Sequence, residues 1–113
     1  MSIHHAAQGD VVDVRPLKQQ IASTKTSTLL KTDSTDLLRL VMPAGNTIAE
    51  HKAPGEMTVH CLEGRIVFSS AGNAQELVAG ELLFLSSGEP HAVDAIEDSS
   101  VLVTILFRKD SQP

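Results

Sequence analysis

The chain of 113 residues has no tryptophan and no tyrosine, and its aromatic content of 3% is all phenylalanine. Recognition of bases or sugars by stacking needs aromatic faces, so that class of binding is poorly supported. A single cysteine, Cys61, excludes an intrachain disulfide and fits a reducing compartment. Basic residues are few and scattered, nine against fourteen acidic ones, for a formal net charge of -5. Nucleic-acid binding draws most of its affinity from Lys and Arg neutralising phosphates, so nucleic acid is not an expected partner. The absence of any polybasic run argues equally against a membrane surface. Long apolar runs are missing too: the longest, VLVTILF (101–107), has the length of a strand, well short of the roughly 20 residues of a membrane helix. The N-terminal MSIHHAAQGD carries no basic stretch leading into an apolar one, which points to a cytoplasmic protein.

What is present is the composition of an ordinary globular domain, 42% hydrophobic and 20% charged. A chain of this size buries one core, so residues 1–113 are expected to form a single domain. Turn signals recur at PAG (43–45), APGE (53–56), EG (63–64), AGN (71–73), AG (79–80), SSGEP (86–90) and EDSS (97–100). Short segments rich in Val, Ile, Leu, Thr and Phe lie between them, and none sustains helical periodicity. The pattern predicts an all-β sandwich or barrel with strands at 11–16, 26–32, 36–43, 47–53, 57–64, 65–70, 76–79, 82–86, 91–96 and 101–107. Residues 1–10 read as a tail with solvated His4 and His5, and the polar stretch 17–28 as a loop or exposed edge strand.

Strict alternation along a strand assigns side chains to faces. It groups Ala49, His51 and Ala53 on one side of their strand, with Ile48, Glu50 and Lys52 on the other. Met57, Val59 and Cys61 form a second inward set, and His91, Val93 and Ala95 a third. If these strands adjoin, the shared face lines a pocket holding two histidines, two sulfur side chains and small apolar groups. Ile48, Leu62, Ile66 and Phe68 are expected on the outside, where they leave apolar surface for a second subunit. Arg39 and Arg65 are expected to pair with Glu63 or Glu81 on the outer sheet. His60 falls off the inner face, and no basic neighbour in sequence activates Cys61. The nucleophile elbow, P-loop and dinucleotide fingerprint are absent.

Gly45, His51 and Gly64, the last within LEGRI, resemble the first conserved motif of the cupins. Gly80, the turn SSGEP and His91 resemble the second, with Ser86 where proline is usual and Ala95 where asparagine is. The resemblance implies a double-stranded β-helix, or jelly-roll barrel, with its core at about 36–108. Residues 1–35 would then supply a tail and extra strands for use in a homodimer. In metal-binding cupins the ligands are two histidines and a Glu or Gln of the first motif and the histidine of the second. This chain keeps His51 and His91 but has Ala53 and Met57 at the other positions. Zinc normally takes three or four protein ligands, and non-haem iron oxygenases use two histidines and a carboxylate. No cofactor is therefore favoured. A divalent transition metal or Cu(I), if held, would use His51 and His91 with Glu56, Met57 or Cys61.

Three readings follow. The first is a metal-free small-molecule-binding domain whose ligand meets His51, His91, Met57, Val59, Cys61, Ala53 and Val93. The second is a metal-dependent cupin enzyme of dioxygenase or isomerase type with a depleted ligand set. The third is a dimeric scaffold. Within the family, sugar epimerases and thiol dioxygenases that rely on a tyrosine are disfavoured, because this chain has none.

Overall fold

A computed structural model describes residues 5–107. Among the described residues nine strands are formed: β1 (Ser27–Lys31), β2 (Thr35–Met42), β3 (Thr47–His51), β4 (Glu56–Glu63), β5 (Arg65–Ser70), β6 (Asn73–Val78), β7 (Leu82–Leu85), β8 (His91–Ala95) and β9 (Ser99–Leu106). They pair antiparallel in two sheets, of order β1-β2-β9-β4-β7 and β3-β8-β5-β6. Among the described residues no helix is long and apolar enough to cross a membrane.

Register explains the core. Paired residues on neighbouring strands share a face, so Leu38, Val103, Val59 and Leu83 make one apolar row across the larger sheet. Ile48, Val93 and Phe68 make the facing row in the smaller sheet. The rows pack together into one cluster, within which Val59, Cys61, Ile66 and Val101 are fully buried.

The chain crosses from one sheet to the other at Gly64, between β4 and β5. Its φ is +87°, and a Cβ there would stand 2.3 Å from both the Asp98 carbonyl oxygen and Ser99 Oγ. The crossing also resets alternation, which corrects the expectation for β5. Ile66 and Phe68 point inward, 0% and 2% exposed, because they pair with Ala95 and Val93 on the inner face of β8. Leu62, half-buried, lies outside the core cluster.

A second correction concerns residues 11–16, which form no strand. The carbonyls of Val14 and Arg15 accept hydrogen bonds from the buried Arg39 guanidinium instead of entering a ladder. The stretch 17–28 likewise holds a 3-10 helix, Lys18–Ser23, anchored by buried Ile21. Two turns of 3-10 helix are too short to register as helical periodicity. At its start, the N–H groups of Leu17 and Lys18 donate to the Glu63 carboxylate at 2.7 and 2.9 Å, and Ser100 Oγ donates to it at 2.5 Å. Glu63 and Arg39 thus bind the N-terminal arm rather than each other. Arg65 pairs with Glu76 and Glu97. His5 is exposed, while His4 and residue 108 lie outside the described residues.

Burial alone would push the Glu63 pKa up. The bonds from Ser100, Leu17 and Lys18 and the nearby Arg39 charge more than offset this and hold it below the usual glutamate range. A depressed carboxylate contributes stability that is present above its unfolded pKa, about 4.3, and is lost as pH falls through the folded value. Glu63→Gln should therefore cost about 1 kcal/mol near neutrality, discounted for solvent screening. It should also flatten the acid limb of the stability curve, and thermal melts at neutral and acid pH measure both effects.

Gly64→Ala should destabilise by about 3 kcal/mol or more. Gly72→Ala, at a φ of +80° with open space around it, should cost only about 1 kcal/mol. Denaturant midpoints of the two variants make the comparison.

Candidate functional site

β3 and β8 bring the two histidines together. In their antiparallel pairing Ile48 faces Val93 and His51 faces His91, with a bulge between. Three steps along β3 match two along β8, so Ile48 and His51 reach the same face despite their opposite parity. This corrects the sequence expectation: Ile48 packs on the core, whereas Ala49 is exposed. The imidazole centroids of His51 and His91 stand 4.3 Å apart, edge to face. The ring of Phe68 stacks on His91 at 5.4 Å and 12°, leaving His91 only 3% exposed. His51 sits at the exposed rim.

Both rings are oriented in the same way. His51 Nδ1 lies 3.0 Å from the Ala49 carbonyl oxygen, and His91 Nδ1 lies 3.0 Å from that of Glu89. A carbonyl oxygen only accepts, so Nδ1 is the nitrogen that donates in each ring, and Nε2 is left for a ligand.

The pair borders a cavity of about 380 Å³ between the sheets. Leu38, Leu40, Val101 and Val103 build part of one wall, Ile48, Phe68 and Val93 part of the other. Of the residues singled out from sequence, His51, Ala53, Met57, Val59, His91 and Val93 all line it. Cys61 does not. It lies in the core with its thiol 3.4 Å from the Glu63 carbonyl oxygen, and burial pushes its pKa up. Glu56 is exposed and alternates away from Met57. Lys52, absent from the sequence-derived set, lines the rim. The bulge that overrides simple alternation in β3 leaves no mark in the sequence.

The donor set does not fit the metals that the fold family implies. Among the described residues no group of three or more His, Cys, Asp or Glu side chains is placed to hold an ion. Ala53 offers no donor, and Met57 only a weak thioether.

Two packed antiparallel sheets with a cavity between them, bearing a histidine on each of two neighbouring strands, define a cupin-type barrel. The cupin domain family model matches residues 38–107, and the chain belongs to that family. No curated protein matches the chain. A conserved Streptococcus pyogenes protein of unknown function is 21% identical, with a TM-score of 0.75 over 97% of this chain and 98% of that one. A cupin superfamily protein from Desulfitobacterium hafniense is 17% identical, also at 0.75, over 96% and 100%. The DMSP lyase DddQ from Ruegeria pomeroyi is 23% identical at 0.66, over 78% of this chain and 48% of that one. These likenesses establish the fold.

Because the Cys61 thiol is buried and its pKa raised, a soluble thiol reagent at mildly alkaline pH should modify it at least about a hundredfold more slowly in the folded protein than in denaturant. Rapid stoichiometric modification of folded protein would contradict that placement.

Proposed function

We propose that this cupin domain is a cytoplasmic small-molecule-binding protein that works without a tightly bound metal, with His51 and His91 as the polar handles of its pocket. The observation that carries the reading is the preformed apolar cavity of about 380 Å³ into which the two imidazoles converge. Its size and lining are those of sites for small organic molecules, where a few polar groups orient a mostly apolar ligand. The missing donors at Ala53 and Met57 support the metal-free half.

Cyclohexanol, used as a probe, should shift the methyl resonances of Leu38, Val59 and Val103 and leave those of Leu82 unchanged. Ala53→Phe, which fills the cavity from its wall, should weaken that binding at least about tenfold. Shifts spread over the outer surface would defeat the pocket reading. Elemental analysis of protein purified without chelator should find substoichiometric transition metal. A full equivalent lost on His51→Ala would instead favour the metal-dependent enzyme.

A homodimer is part of the proposal, supported by a different surface from the one expected from sequence. Leu82 and Phe84 on edge strand β7 are 59% and 57% exposed, and Leu106 of β9 is 45% exposed. By register all three lie on the outer face of the larger sheet. Sedimentation at micromolar concentration should give a dimer, and Phe84→Asp should shift it toward monomer.

A further inference from the structure

We infer that the ligand of the cavity is an organic acid, held with its carboxyl group at the His51–His91 end and its apolar body between the sheets. The inference rests on the pocket reading above and specifies the chemistry of what the pocket takes. Every titratable side chain lining the cavity is a base: His51, His91 and Lys52, with no aspartate or glutamate among them. The rest of the lining is apolar, so no hydroxyl or amide side chain serves these bases from within the wall.

His91 is the informative member. It is buried, its Nδ1 is committed to the Glu89 carbonyl, and its ring is fixed between Phe68 and His51. Nε2 is therefore the ring nitrogen left for a ligand. A ligand amine would have no carboxylate to offset its charge, and the Lys52 ammonium would repel it. An alcohol would supply only a neutral hydrogen bond. A carboxylate complements the site, because the titratable side chains it meets there, His51, His91 and Lys52, are all bases. A carboxylate joined to a cationic donor such as the Lys52 ammonium makes a charge-assisted hydrogen bond, about twice as strong as a neutral one. His51 and Lys52, both exposed at the rim, then flank the carboxylate with further positive or donating groups.

Calorimetric titration with octanoate, 1-octanol and octylamine separates these cases. Octanoate should bind one per chain and about tenfold more tightly than 1-octanol, with octylamine weakest. His91→Gln keeps a hydrogen-bonding side chain but removes the base, and should abolish the preference for the acid. Should His91→Gln fail to fold, His51→Gln and Lys52→Met change exposed positions, and each should weaken octanoate several-fold. If 1-octanol or octylamine binds as tightly as octanoate, or if octanoate binding ignores all three substitutions, the acid inference is wrong and the pocket reading stands. If none of the three compounds binds, both are wrong.

Discussion

The antiparallel pairing of β3 with β8 places His51 directly opposite His91, and the character of the cavity depends on that one register. Cross-strand partners hold their Cβ atoms roughly 5 Å apart on a common face. Two imidazoles so placed present polar groups to one end of an otherwise apolar space. The bulge between Ile48 and His51 is the local device that makes it possible. Without it, alternation would turn either Ile48 out of the core or His51 out of the cavity. With it, one short strand contributes an apolar wall and a polar handle to the same space, and the exposed Ala49 and Glu50 absorb the extra residue.

The supports around this pair come from distant parts of the chain. Phe68 reaches the His91 ring only because the turn at Gly64 carries the chain into the smaller sheet and points β5's even-numbered residues inward. Gly64 in turn lies beside Ser99, whose hydroxyl accepts from the Arg65 N–H at 3.0 Å and donates to the Glu97 carbonyl at 2.7 Å. On the far side of the larger sheet, Glu63 and Ser100 fasten the N-terminal arm. Neighbouring residues at one corner therefore close the barrel, aim a core ring at the site and hold the arm on the outer face.

Much of this was legible in the sequence. Turn residues at short intervals and β-branched segments between them gave the strands from β1 onward, and the glycine and histidine spacing gave the barrel. Inner faces were correct in β4 and β8, where alternation runs unbroken. They failed at Ile48 and Ala49 of β3 and in β5, for two separate physical reasons: a bulge inserts a residue into the count, and a sheet-to-sheet crossing restarts it. The arm failed differently. VVDVRP has strand-like composition, but a strand needs a partner ladder, and here the Arg39 side chain takes two of its carbonyls. That contact spans residues far apart in sequence and carries no local signal. Lys52 was also assigned outward, but it lies just past the end of β3, where strand alternation no longer applies, so the basic character of the rim became visible only in the structure.

The orientation of the imidazoles does not by itself distinguish a metal centre from an organic pocket. A backbone carbonyl that engages Nδ1 and leaves Nε2 for another partner is what a metal-binding histidine also requires. The distinction lies at Ala53 and Met57, both on the wall of the same cavity and both buried. Replacing a nitrogen and an oxygen donor by a methyl group and a thioether removes two groups that would otherwise neutralise or saturate the centre. It also makes that wall apolar. The same two positions thus weaken the site for a cation and improve it for a hydrocarbon. They leave His51, His91 and Lys52 as the polar side chains of an otherwise apolar lining.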